Sequence, residues 1–464
     1  MDDQISVTVL GINYSPEPLG IAPYTTGLCR GLASRGYRVN VVTGMPHYPE
    51  WRVPAEYRWK WTSMEAIDGV AVKRVRHSVP SRASNVDRLL METTFGVRGA
   101  ASRWHRPDVV ICTTPALVAT AAQCLRRKVA VGHRPLLGIW VQDLYTVGLR
   151  ETQDSGSVAA RVAGTLESWV MREADGIVVA HDQFSAQLVQ RLQADPAKIT
   201  TIRNWTHVRS SGAPDRAASR GRLGWAEDET VVLHAGSMGV KQGLENVVRA
   251  ARVADHDHLN MRFVLMGDGN QRCALEAMAS QNTHLEIRDP LPEGEFMAAL
   301  NAADILLVNE RPGVSGMSIP SKLTSYFQSG TPVLAAVSSE GNAAQEVRRS
   351  GAGMVIDGGD PTCLIDAAES LGSDANLRRR LGANGIAYAA AELSEAASIA
   401  KFDRWIRRLL ATNRPWRIGA DDGTSAFQSE GRFTRGRNGQ GGTDNRDNRT
   451  GRFVSGGTTV SQGL

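Results

Sequence analysis

The chain has 464 residues, 42% of them apolar, and a formal net charge of +5 with an isoelectric point near 9.0. That length accommodates two domains of ordinary size, each with a large buried core, and the modest basic excess fits a nucleotide ligand or an anionic membrane surface. Five scattered cysteines without CxxC or CxxH spacing argue against a zinc site or a disulfide framework, and fit a reducing cytoplasm.

The acidic opening Met1-Asp2-Asp3-Gln4 lacks the pattern of a signal peptide, and no uncharged apolar run reaches the ~20 residues needed to span a bilayer. Short β-branched runs then alternate with helical patterns. Strands are predicted over 5–12, 37–43, 70–76, 107–112, 136–141, 175–180 and 198–202. A Ser/Gly/Ala/Arg-rich stretch over 206–228 reads as a linker. The pattern restarts with strands over 230–236, 261–266, 284–287, 304–308, 332–337 and 353–356, and a last helical pattern lies around 394–411. Such alternation predicts an α/β protein with two doubly wound, Rossmann-like domains, over 1–205 and 229–415, facing a central cleft. Beyond residue 416 Gly, Arg, Asn, Thr and Asp dominate, which predicts a disordered tail unable to bury enough surface to fold.

Three strand-to-helix switches carry the chemistry. After the first strand a proline-rich turn leads to Gly20 and a helix. After the strand over 230–236 come Gly236, Ser237 and Gly239, with Lys241 ahead of the next helix. After the strand over 304–308 a Gly/Ser loop runs to Pro320, which opens a helix carrying Ser321 and Lys322 in its first turn. Free amides, the helix dipole and a lysine at one end make an anion site of the kind that holds a phosphate. Gly267-Asp268-Gly269 ends another strand and reads as a tight turn that also permits a ligand to approach the backbone. Gly20, Lys241 and Lys322 come from both domains and converge on one cleft, where two lysines and two helix N-termini can neutralise a diphosphate; no metal or other cofactor is expected.

The order and spacing of Asn13 to Gly20, Gly44-Met45-Pro46-His47-Tyr48-Pro49, Trp140 to Tyr145, Ile202 to Trp205, Ala235 to Glu245, Gly267 to Gly269, Ala303-Asp304, Pro320 to Leu323 and Gly330 to Val333 resemble those of the retaining glycosyltransferases of family 4, which have the GT-B fold. Within that family the chain looks most like the branch serving exopolysaccharide and colanic-acid biosynthesis. The resemblance implies a metal-independent hexosyltransferase acting from a UDP- or GDP-linked sugar on a glycan or polyprenyl-linked glycan, at the cytoplasmic face of the membrane. It implies that Lys241 and Lys322 hold the diphosphate and act in catalysis, with Ser237, Ser321 and Gly267 nearby. Gly20 approaches from the first domain and the loop at Arg288 flanks the base. Asp143 orients or deprotonates the acceptor hydroxyl, or else caps a helix; His47 and His181 are further candidates.

Two positions depart from the family pattern. Many relatives carry Glu-x7-Glu before the Gly-x-Pro-Val strand; here Met317 and Ser325 stand there, so the donor ribose is left to Ser325 or to Glu310. Many also have a histidine where this chain has Gln142. These departures keep two alternatives open, a nucleotide-sugar 2-epimerase of the same fold and a non-catalytic assembly protein with a degenerate donor site. Aromatic residues interleaved with Arg52, Arg58 and Lys60 over 51–61, and the stretch Arg98, Arg103, Trp104, His105 and Arg106, suit a lipid headgroup boundary and point to peripheral membrane contact. No recognised nucleic-acid-binding motif accompanies the basic residues, so nucleic acid is not an expected partner.

Overall fold

In a computed structural model the described residues are 4–18, 20–80, 85–144, 158–206, 215–280, 282–313 and 322–413. The first half runs β1 (Ser6–Leu10), α1 (Ala22–Ala33), β2 (Arg38–Gly44), β3 (Thr62–Ile67), β4 (Val70–Val75), α2 (Asn85–Ala101), β5 (Val109–Thr113), α3 (Leu117–Val129), β6 (Leu136–Val141), α4 (Val158–Glu173), β7 (Gly176–Val179), α5 (Asp182–Leu192) and β8 (Ile199–Thr201). Its eight-stranded sheet has the order β3-β4-β2-β1-β5-β6-β7-β8. The paired strands are parallel except the edge hairpin β3–β4. The central strands are buried along their whole length because helices cover both faces of the sheet.

The second half runs α6 (Arg216–Leu223), β9 (Thr230–Ala235), α7 (Glu245–His256), β10 (Met261–Met266), α8 (Arg272–Ala279), β11 (Leu285–Arg288), α9 (Glu293–Ala302), β12 (Ile305–Asn309), α10 (Lys322–Ser329), β13 (Val333–Ala336), α11 (Asn342–Ser350), β14 (Gly353–Ile356), α12 (Pro361–Ser373), α13 (Ala375–Glu392) and α14 (Glu395–Asn413). Its six strands are all parallel in the order β11-β10-β9-β12-β13-β14. The chain is therefore two α/β Rossmann-like domains about a central cleft, as the alternation predicts. In each sheet the strand order reverses beside the first strand, at β1/β5 and at β9/β12, and ligands of such sheets bind outside the carboxyl ends of those strands.

Two features lie between or across the expected segments. Within 206–228, α6 forms and is tied to the second domain: Arg216 and Arg220 pair with Asp304 at 2.7 and 3.0 Å, and Asp304 also accepts the Val231 N–H. The last helix, α14, packs on the first sheet. Its Phe402, Trp405, Ile406 and Leu409 join Val7, Leu28, Trp140 and Val178 in one core. Gly138 on β6 makes this approach possible, since a Cβ there would lie 2.4 Å from the Trp405 ring. Between the halves, buried Arg203 joins Asp182 on α5 at 3.1 Å to Glu346 on α11 at 2.8 Å. The expected tail from 416 onward lies outside the described residues.

Candidate donor site

The donor-side floor is built from backbone. The loop after β9 and the turn after β10 are zipped together: Gly236 N–H donates to Met266 O at 2.8 Å, Met238 N–H to Asp268 O at 2.8 Å, and Gln271 N–H to Met238 O at 3.0 Å. Gly267 adopts φ 150°, and a Cβ on it would stand 1.9 Å from the Gly236 carbonyl oxygen, so only glycine lets the two loops meet. Gly267 thus has a packing role in shaping this floor. Ser237 is exposed on the same loop.

Lys241 sits in a single 3-10 turn, Val240–Gln242, directly after that loop. Its carbonyl accepts from the Arg311 N–H at 2.9 Å, which docks the turn against the segment leaving β12. Lys322 begins α10, whose buried Leu323, Tyr326 and Phe327 fix the helix on the sheet. The Tyr326 hydroxyl accepts the Ala235 N–H at 2.8 Å, so this helix is pinned to the very end of β9. The Lys322 Nζ lies 3.0 Å from the ring of His234, which is fully buried. Loss of water around the ammonium pushes its pKa down to about 7, and Glu310 opposes the shift. His234 is held neutral by its own burial and then by the adjacent lysine. Glu310, just past β12 and buried, has its pKa raised by desolvation and lowered in part by Lys241 and Lys322.

Across the cleft, the Asp143 peptide is held by Thr114, whose hydroxyl donates to the Asp143 carbonyl at 2.9 Å. Asp143 Oδ1 accepts the Leu144 N–H at 2.9 Å. The residue is exposed, yet protein beside its carboxylate strips water and raises its pKa; the Leu144 amide and then Lys241 counter that. Lys241 is therefore felt by both Asp143 and Glu310. Lys241 and Lys322, neither of them ion-paired among the described residues, both act on Glu310, and Lys241 also acts on Asp143 of the other domain.

Other expected residues are placed differently. Gly20, at φ 67°, is exposed on the turn into α1, with Tyr48 as its nearest neighbour at 3.8 Å. Ser325 is buried, and its hydroxyl donates to the Lys322 carbonyl at 3.0 Å within the helix. Arg288 ends β11, where its guanidinium bonds Glu286 and the Leu223 carbonyl and lies 5.8 Å from the Trp225 ring centre, so its side chain is engaged on the α6 face. Ser321 and Met317 lie outside the described residues. Gln142 exchanges two amide hydrogen bonds with Asn204, at 3.0 and 2.6 Å, and so bolts the end of β6 to the segment after β8. His47 is buried 3.2 Å from Glu17 and is kept neutral by burial. His181 is buried against Phe184. His234 was not signalled by the sequence; its position two residues before Gly236, on a strand otherwise apolar, was the only trace. Of the aromatic residues expected at a lipid boundary, Trp104 turns inward: it is 6% exposed and lies under Arg126 at 3.6 Å, because α2 and α3 close over it. Trp51 packs against His47 and Tyr48, whereas Trp59 and Trp61 stand out in solvent.

Two α/β domains about a cleft, with two lysines at the switch point of the second, fit the GT-B class of sugar-transferring enzymes. Residues 20–205 match the model of the glycosyl transferase 4-like domain, and residues 215–388 that of the glycosyl transferases group 1. The chain is 30% identical over 347 residues to the putative colanic acid biosynthesis glycosyl transferase WcaI of Escherichia coli K12, covering 70% of this chain and 82% of that protein. Among solved structures it superposes on sucrose-phosphate synthase from Thermosynechococcus elongatus with a TM-score of 0.63 at 16% identity, over 88% of this chain and 100% of the other. It superposes on Anabaena HepE in complex with UDP with a TM-score of 0.62 at 13% identity, over 87% and 100%. The chain belongs to the GT-B glycosyltransferases built from these two domains.

Proposed function

We propose that the protein is a retaining hexosyltransferase that moves a sugar from a nucleoside diphosphate, UDP first among the candidates, to a hydroxyl of a glycan or lipid-linked glycan in cell-surface polysaccharide biosynthesis. The observation that carries this reading is that Lys241 and Lys322, placed after β9 and β12, both act on Glu310, and that Lys241 also acts on Asp143 of the other domain. Preorganised cations aimed at a departing diphosphate stabilise the charge that develops as the sugar–phosphate bond breaks. Glu310 is suited to hydroxyls of the donor, and Asp143, its pKa raised, to the acceptor hydroxyl. The HepE structures with UDP and with UDP-glucose favour testing UDP donors first. The reading includes peripheral membrane contact through the exposed tryptophans; among the described residues no helix is long and apolar enough to cross a membrane.

Titration calorimetry with UDP and GDP tests the donor site. One nucleotide should bind, and Lys241→Ala should weaken it by about 1.5–3 kcal/mol, the worth of a charge-assisted contact. No binding of either by folded protein would sink the reading. The anomeric configuration of the product, read by NMR, decides between retention and inversion.

Binding should also depend on pH. Unliganded Lys322 loses its proton near pH 7, and a bound diphosphate favours its charged form, raising that pKa. Affinity for UDP is therefore greatest below about pH 7 and falls as pH rises through the window between the free and bound values, by up to about tenfold per unit. At pH 8 binding should take up a proton, seen as an enthalpy that varies with the buffer's ionisation heat. A flat profile from pH 6 to 9 would show that Lys322 does not meet the diphosphate.

A further inference from the structure

From Val231 to Ala235, β9 holds one polar side chain. His234 is fully buried there, and an imidazole without a partner is costly to bury. Its register partner on β10 is Leu265, and Val232, two residues back on the same face, belongs to an apolar core with Leu265 and Leu307. The ring finds polar company at the carboxyl end of the strand. Its Nε2 lies 3.0 Å from Lys322 Nζ and 3.4 Å from the Ser237 carbonyl oxygen. Lys322 reaches it from the first turn of α10, and a Cβ on Gly236 would stand 3.4 Å from both Cε and Nζ of that lysine. The amine therefore rests against the His234 ring and against the backbone just after β9. Among the described residues the charges acting on this pair are few. Lys322 acts on the ring, Glu310 past β12 acts on Lys322, and Lys241 in the turn after the loop acts on Glu310. Tyr326, one turn along α10, is fully buried, which keeps its phenol protonated.

Burial and the adjacent lysine keep the ring neutral, so one of its nitrogens carries a proton and the other offers a lone pair. An ammonium has N–H groups to give and nothing to accept with, so it can bond this ring only at the bare nitrogen. Nε2 is the nitrogen nearest Nζ, which puts the lone pair on Nε2 and the proton on Nδ1. A hydrogen bond accepted from the ammonium favours the charged form of Lys322 and opposes the loss of water around it. The same bond fixes the end of a long side chain before any ligand arrives, so less freedom is lost on binding.

We infer that His234 is a positioning residue of the donor site: as the hydrogen-bond acceptor of Lys322 it holds the amine at the end of β9 and favours its charged form, ready for the diphosphate of the donor. The inference rests on the transferase reading above. UDP affinity is measured by calorimetry from about pH 5.5 to about pH 8.5 on three full-length proteins. These are the wild type, His234→Phe, which keeps a ring without an acceptor, and His234→Gln, whose amide oxygen restores one. In His234→Phe the pH at which affinity begins to fall should move down by about one unit, the shift expected on losing one hydrogen bond to a charged group. UDP then binds about tenfold more weakly than to wild type at about pH 8 and nearly as well at about pH 5.5. The nucleotide's own titration is common to all three proteins and cancels. His234→Gln should return most of the way to the wild-type profile. A purely structural histidine would weaken binding evenly across pH and would not separate Phe from Gln. An unshifted profile in His234→Phe, or equal shifts in the two variants, would overturn the inference. Where His234→Phe impairs folding, the wild type decides alone: nitrogen NMR of the histidine rings at about pH 6 should find His234 protonated on Nδ1 and bare at Nε2, and a proton on Nε2 would overturn the inference. That measurement needs no nucleotide. The expected tautomer in folded protein that fails to bind UDP would leave the histidine–lysine contact standing and remove the donor reading alone.

Discussion

Lys322→Met should lower kcat/KM for sugar transfer by about a hundred- to a thousandfold, the usual loss when one preorganised group that stabilises the transition-state anion is removed. The substitution keeps the length and apolar stem of the side chain but deletes the charge. The site holds that ammonium at a cost, since desolvation has brought its pKa down to about 7 and the neutral ring of His234 lies 3.0 Å from it. An amine whose charged form is penalised by burial, at a switch point, is a candidate ligand group rather than a structural ion. The same variant should therefore unfold at an unchanged or higher temperature. Steady-state kinetics with a UDP-sugar, read beside a thermal melt, check both halves. Activity kept within a few-fold would show that the diphosphate does not rest on α10, and a large fall in melting temperature would mean that Lys322 is structural.

Trp405→Ala should destabilise the protein by about 3–5 kcal/mol, as expected for truncating a large buried aromatic side chain. Trp405 is 5% exposed, meets Phe402 edge-on at 6.2 Å between ring centres, and fills the space that Gly138 and Gly176 leave open on β6 and β7. Those glycines cannot close the gap, so a cavity remains. Urea denaturation followed by tryptophan fluorescence measures the loss. UDP affinity, measured below the transition, should be nearly unchanged because β9, β10 and α10 are not in contact with this side chain. A loss under 1 kcal/mol would mean that α14 is only loosely attached to the first sheet.

Most of the sheet architecture was legible. Buried parallel strands such as Val109–Thr113 and Ile305–Asn309 are continuous apolar runs, and their spacing by helical segments leaves few topologies. Strand β3 escaped because it is an edge strand. Its burial alternates between exposed and half-buried, so Met64 and Ile67 stand among polar residues and no apolar run forms. The signal available was Asp68-Gly69, whose positive φ values of 51° and 78° close the β3–β4 hairpin. At the candidate site, the positions of Lys241 and Lys322 at strand-to-helix switches were legible because chain order carries them directly. Ser325 was not, because whether its hydroxyl faces a ligand or its own helix depends on rotamer and burial. Nor was Arg288, whose partners Leu223 and Trp225 come from a segment that reads as a linker.

The sequence by itself determined the class of fold and the family, and it proposed the two lysines. These depend on local period and on residues near each strand end, which the chain order carries directly. The tertiary structure alone decided which charges share one environment. It brought Glu310 under the influence of both lysines, brought Asp143 under that of Lys241, stood Arg76 and Arg98 over Trp61, and set α14 on the first sheet. Desolvation and long-range contact produce those outcomes, and both depend on distances between segments that are far apart in the chain.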